Sequence, residues 1–148
     1  MAQIIKSVSD LTKILETRIQ KALEMTQDEI WETIQEHIDA YYDEYDPRRY
    51  RRSFMFQTES PIKTKVTKDG NRLSCTVEID PNYLHYTYPG GYMTGLGVIN
   101  LANQRSHGGV YDDDFGKFWD DSIEELGLVP GILYIMKKNL QKCGVPVK

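Results

Sequence analysis

The side chains that could hold a metal, move a proton or attack a carbonyl are few and scattered. The histidines are His37, His85 and His107, and the cysteines are Cys75 and Cys143. Catalytic and structural metal sites repeat their ligands at short fixed spacings, as in HExxH or CxxC, and none of these residues stands in such a pattern. His37 lies at the edge of a helical stripe, where a packed or solvated ring is the simpler reading. Asp112, Asp113, Asp114, Asp120 and Asp121 would suit the divalent-metal cluster of a nuclease. Acids at a helix start are also what the helix dipole favours, and that accounts for the first three at lower cost. Cys75 alternates with apolar neighbours and is expected as a core thiol. Cys143, between Lys142 and Gly144, is expected to be more exposed but has no evident base to activate it. The glycines Gly90, Gly91, Gly95 and Gly97 are followed by no Lys-Ser/Thr pair. Asn100 stands where a dinucleotide fingerprint needs its third glycine. These residues therefore predict no enzyme, no cofactor and no metal centre.

The charged feature that remains is Arg48-Arg49-Tyr50-Arg51-Arg52. It can be a solvated turn balancing Asp39, Asp43, Glu44 and Asp46 just before it. It can equally be a contact to DNA phosphates or to an acidic patch on a partner, with Tyr50 as anchor, since Arg and Tyr are favoured in interface hot spots. Tyr88 and Tyr92, which flank Pro89-Gly90-Gly91, are the other candidate contact residues.

Such residues need elements to position them. Leu11, Ile14, Leu15, Ile19, Ala22, Leu23, Ile30, Ile34, Ile38, Tyr41 and Tyr45 recur in steps of three and four, which predicts a long amphipathic helix. Ser7 with Asp10 is a weak capping box, and Thr26 with Glu29 is a second candidate, so a break near Met25-Thr26 is one expectation. Pro47 closes the helix. Unbroken, the helix would run about 57 Å, against about 38 Å for a compact globule of this length. The alternative to a break is a helix that protrudes and buries its stripe on another molecule. Beyond the arginines, Ile62–Thr67 and Leu73–Ile79 alternate around Lys68-Asp69-Gly70-Asn71, a hairpin with Leu73, Cys75, Val77 and Ile79 on one face. From Asp80 to about Gly97 the tyrosines, prolines and glycines predict a long loop. Val98–Asn103 is ambiguous between helix and strand, and Ser106–Tyr111 reads as a second loop. One of Asp112–Asp114 is expected to cap a helix from about Phe115 to Leu126. A last helix starts at Pro130, carries Ile132, Leu133, Met136 and Leu140, and stops at Gly144. The result is an α+β fold, a long N-terminal helix packed on a small antiparallel sheet with C-terminal helices, in one domain over 1–148.

The totals agree. The chain has 148 residues, 40% hydrophobic and 27% charged, with a formal net charge of -4. That is globular composition, and the acidic balance argues against general nucleic-acid binding. No secretory h-region and no membrane-length apolar run is present, so reduced thiols and a cytoplasmic origin are expected.

The order of features resembles the tail-completion proteins of long-tailed double-stranded DNA phages, also called head–tail joining or minor capsid components. Three places carry the resemblance. The first is the long helix running into Tyr45-Asp46-Pro47-Arg48-Arg49-Tyr50-Arg51-Arg52. The second is the hairpin, its Gly- and Tyr-rich continuation and Val98-Ile99-Asn100-Leu101 ending near Gly108-Gly109. The third is Phe118-Trp119-Asp120-Asp121-Ser122-Ile123-Glu124-Glu125-Leu126, followed by a basic helix ending in Gly-Val. The chain departs from many relatives in having Asp112-Asp113-Asp114-Phe115-Gly116 where they carry a proline-and-arginine turn. The resemblance implies a structural virion protein of the phage neck. It would form a homo-oligomeric ring, a hexamer, joining the head connector or adaptor protein to the tail tube protein, with passing contact to DNA and no membrane. Assembly would take place in the host cytoplasm. The competing readings are an intracellular adaptor with no virion role and a metal-dependent nuclease using the aspartates.

Overall fold

A computed structural model of the chain describes residues 7–46, 54–58, 61–88, 90–107, 110–127 and 131–148. Its first element, α1, is one continuous helix over Val8–Asp43. Ser7 has extended backbone, and its hydroxyl accepts the Asp10 amide at 3.1 Å, satisfying a donor that the first turn leaves open. The break at Thr26 does not occur. The Thr26 hydroxyl instead donates to the carbonyl of Ala22 at 2.8 Å, one turn back, and so is satisfied inside an intact helix. With 36 residues, α1 is about 54 Å long at the standard rise. Pro47 lies outside the described residues.

After a single turn, α2 (Met55–Thr58), the predicted hairpin forms. Strands β1 (Pro61–Lys63) and β2 (Thr67–Asp69) return as β3 (Arg72–Ser74) and β4 (Val77–Ile79). Pro61 pairs with Ile79 and Lys63 with Val77; further out, Thr67 pairs with Ser74 and Asp69 with Arg72. Residues 64–66 thus face only 75–76, an extra residue that breaks the ladder as a bulge does. The side chain of Gln27 fills the gap. Its amide donates to the carbonyls of Thr64 at 2.9 Å and Thr76 at 2.7 Å, fastening the hairpin to α1. Lys63 pairs with Asp28 at 2.6 Å and Lys68 with Glu16, so the hairpin runs back toward the start of α1. The turn centres on Gly70-Asn71, one residue later than an Asp-Gly centre, with Gly70 at φ +58. A glycine at positive φ in the first central position is the type II′ requirement.

The stretch expected as a loop, Asp80 to Gly97, carries regular elements instead over its described residues. Asp80 caps a 3-10 turn, Pro81–Tyr83, by accepting the Asn82 amide at 2.8 Å. Strands β5 (His85–Tyr88) and β6 (Gly91–Thr94) pair over four positions, and α3 (Gly95–Asn103) follows directly, which settles the ambiguous Val98–Asn103 as helix. Ser106–His107 (β7) and Val110–Tyr111 (β8) make a minimal ladder where a loop was expected; Gly108 and Gly109 lie outside the described residues. Helices α4 (Phe118–Gly127) and α5 (Gly131–Lys142) complete the chain, with Pro130 outside the described residues. Gly144, at φ +75, ends α5. Its amide donates to Gln141 at 2.9 Å and that of Val145 to Leu140 at 2.9 Å, the paired bonds of a Schellman stop.

The fold is α+β as expected, with the sheet divided into two-stranded ladders. Helices α4 and α5 follow one another antiparallel along α1. Tyr41 meets Phe118, His37 meets Glu125, Glu29 meets Lys138, and Arg18 meets Gly144. The core lies at the C-terminal half of α1, where Ile34, Ile38 and Tyr41 join Phe56, Ile79, Leu84, Ala102, Phe118 and Leu126.

Candidate interaction surface

The end of α1 is locked by a buried aromatic and polar cluster. The ring of His107, 2% exposed, stacks on Tyr41 at 4.0 Å and meets the edge of Phe115 at 4.5 Å. Its Nε2 lies 3.6 Å from a Glu44 carboxylate oxygen. Both oxygens of Glu44 accept the Gly116 amide, at 2.8 and 3.0 Å, and the Tyr41 hydroxyl donates to the Ser106 carbonyl at 2.9 Å. The cluster ties two segments, Ser106–His107 and Phe115–Gly116, to the end of α1, just ahead of the arginine passage. Its rings are buried while Glu44 is exposed, and its contacts fasten the end of α1.

The other expected site residues are dispersed. Arg48, Arg49, Tyr50, Arg51 and Arg52 lie outside the described residues. His37 is bonded to Glu125 at 2.7 Å on the surface, and His85 sits in β5. Asp112 to Asp114 do not cap a helix. They form the turn before it, in which the Asp114 amide donates to the Asp112 carboxylate at 3.0 Å. Helix α4 begins three residues later than expected and is capped from elsewhere. The side-chain oxygen of Asn103, at the end of α3, accepts the amides of Trp119 at 3.2 Å and Asp120 at 3.4 Å, while Asp121 accepts that of Lys117 at 2.7 Å. A cap supplied across the fold leaves no local signal. Among the described residues no three of His, Cys, Asp and Glu come together so as to hold a metal ion.

Cys75 is half-buried, not a core thiol, and burial with the Glu24 charge nearby pushes its pKa up, away from the reactive thiolate. Cys143 is likewise half-buried, with its sulfur 3.8 Å from that of Met25.

The seam between α1 and α5 is polar. Asn139, fully buried, donates to the Thr26 hydroxyl at 3.2 Å, and beside it Lys138 bonds Glu29 at 2.6 Å. That bond holds the Glu29 carboxyl below the ordinary value of 4.5, against the opposing pull of burial. The pair's contribution is therefore complete above about pH 4.5 and is lost as pH falls through the lower folded value. Both side chains are about a third exposed, so about 0.5–1 kcal/mol is expected. Urea unfolding of Glu29→Gln between pH 7 and 3 should show a shallower acid decline than the parent chain. Identical declines would refute the assignment.

Apolar side chains stay in solvent at several places, among them Phe54, Val110, Tyr111 and Ile123. Val8 (81%) and Leu11 (40%) continue the α1 stripe past Arg18, the level at which α5 ends. Tyr83, Tyr92 and Leu96 are exposed around the β5–β6 hairpin, and Ile132, Leu133 and Tyr134 at the start of α5.

A family model, YomN, matches residues 7–142, from the cap of α1 to the last residue of α5. The chain belongs to the YomN family. The family is phage-associated. The matched residues run from α1 through α5. Searches of the curated proteins and of the solved structures found no match.

Proposed function

We propose that this chain is a structural virion protein of the phage neck, forming a ring that joins the head connector to the tail tube. The observation that carries the reading is the unbroken α1. A helix of about 54 Å outruns a compact globule of this chain length by about 16 Å. Its first turns leave Val8 and Leu11 in solvent, on the stripe that α5 covers further along. An apolar stripe extended beyond its own core is best buried on another molecule. The phage-associated family supports the same setting.

The partners on this reading are copies of the same chain, six to a ring, then the connector or adaptor protein on one side and the tail tube protein on the other. DNA passes through, the product is the virion neck, and assembly occurs in the host cytoplasm. Among the described residues no helix is long and apolar enough to cross a membrane. Two of the five aspartates of the nuclease alternative do structural work, Asp120 bonding Asn103 and Asp121 holding the Lys117 amide, which favours the neck reading over it.

The arginine passage supplies the test. Replacing Arg48, Arg49, Arg51 and Arg52 with serine should stop the joining of heads to tails while the purified chain keeps its circular dichroism spectrum and melting temperature. Normal infectious particles from the substituted phage would sink the neck reading. A wild-type chain found in the infected cell but missing from purified particles would favour the adaptor.

A further inference from the structure

Residues 81–104, between Asp80 and Arg105, include no Asp, Glu, Lys or Arg, in a chain that is 27% charged. This stretch is the 3-10 turn, β5, β6 and α3. It exposes Tyr83 at 54%, Tyr92 at 62% and Leu96 at 62%. The 3-10 turn and the start of α3 touch at Gly95, which leaves no room for a side chain against the backbone oxygens of Pro81 and Leu84. The close approach at Gly95 therefore joins the 3-10 turn to the start of α3 within this uncharged, tyrosine-bearing stretch. Depletion of charge with enrichment of tyrosine marks the centre of protein interfaces.

The hairpin within it has unguarded edges. Strands β5 and β6 pair over four successive positions without a bulge, and among the described residues neither pairs with a third strand. Among the described residues, each strand therefore presents one edge with no neighbouring strand. The hairpin of β1 to β4 is defended in the ways that proteins usually blunt an edge. Lys63, Lys65 and Lys68 line its outgoing strand, Arg72 and Glu78 its return strand, and residues 64–66 interrupt its ladder. One hairpin is guarded against strand addition and the other is not.

We propose that the β5–β6 hairpin is the seam between copies, with β6 of one copy pairing antiparallel to β5 of the next. This rests on the ring reading above and names its contact. A second copy is the occupant for two reasons. Copies that each carry a formal charge of -4 repel wherever charged faces meet, and this surface lets them approach without burying an unpaired charge. Backbone pairing reads no particular side chain, so an identical strand satisfies it. The head-to-tail order follows from the edges. A two-fold pair would leave one edge of every copy open, whereas a closed ring consumes both and keeps every neighbour antiparallel.

The test is photo-crosslinking of the full chain with benzoylphenylalanine in place of Tyr92, using an equal mixture of 14N- and 15N-labelled protein at the concentration where rings form. The expected product is a covalent dimer whose link joins position 92 of one copy to a peptide containing residues 85–88 of the other. In parallel, Thr87→Lys should raise the concentration for half-assembly at least about tenfold, equivalent to one added charge opposing about 1.4 kcal/mol of pairing. The spectrum of the monomer should not change. Rings that form with no link from position 92 to β5 overturn this proposal and leave the ring reading standing. Links from position 92 to β6 of the other copy overturn it in favour of a two-fold pair. A chain that stays monomeric both alone and on particles overturns this proposal and the ring together.

Discussion

Replacing Phe118 with alanine should lower the unfolding free energy by about 3–5 kcal/mol, the usual cost of deleting a fully buried phenylalanine. Phe118 is 1% exposed and packs its ring at 4.7 Å from Phe56 and 5.6 Å from Tyr41. It joins α4, α2 and α1 at one point, so no single element can collapse into the space it leaves. For a chain of this size the loss amounts to a drop of roughly 10 °C in melting temperature. It is a large part of the about 5–15 kcal/mol that a domain has in total. Leu133→Ala is the matched control. Leu133 is apolar and lies in α5, but it is 84% exposed, so its change should stay within about 0.5 kcal/mol. Chemical denaturation of both variants decides the matter. Similar losses would mean that Phe118 is not the joint between the layers. Phe118 also packs on Tyr41, which anchors the end of α1 just ahead of the arginine passage.

What could be read in the sequence was what local pattern encodes. The stripe of α1, the alternating hairpin and the Gly144 stop all depend on residues close together in the chain, and all three are present. The misreadings share a cause, which is that a distant residue decides the outcome. Thr26 looks like a helix start, but its hydroxyl is satisfied one turn back and its face is covered by Asn139 of α5. Asp112 to Asp114 look like a cap, but Asn103 of α3 provides it. Gln27 is polar beside an apolar stripe, and only the broken hairpin ladder opposite explains its burial. The stretch from Asp80 to Gly97 was misread for a different reason. Tyrosine, threonine and histidine are neither clearly apolar nor clearly polar, so alternation in β5 and β6 leaves no hydropathy trace. Of the exposed side chains on the proposed seam, the sequence reading names Tyr92 but not Tyr83 or Leu96. The signal that would have found them is the absence of charge around them, not any motif.

Gly95→Ala carries the second large effect, and it separates packing from the rest of that uncharged surface. A Cβ at Gly95 would sit 1.8 Å from the carbonyl oxygen of Pro81 and 2.9 Å from that of Leu84. Both obstacles are backbone, so no rotamer change relieves them, and the start of α3 must move off the 3-10 turn. The cost should be about 3 kcal/mol, the upper end of what overpacking usually exacts. The displacement also reaches α4, because Asn103 at the other end of α3 holds the first amides of that helix. Gly127→Ala offers the contrast, since a Cβ there meets nothing within 4 Å and the residue is helical. That change should be neutral or stabilising by up to about 1 kcal/mol, since glycine is the poorer helix former. Melting curves of the two variants should therefore move in opposite directions or at least differ by several degrees. If they shift together, Gly95 is not the close approach on which α3, and through it the hairpin surface, is seated.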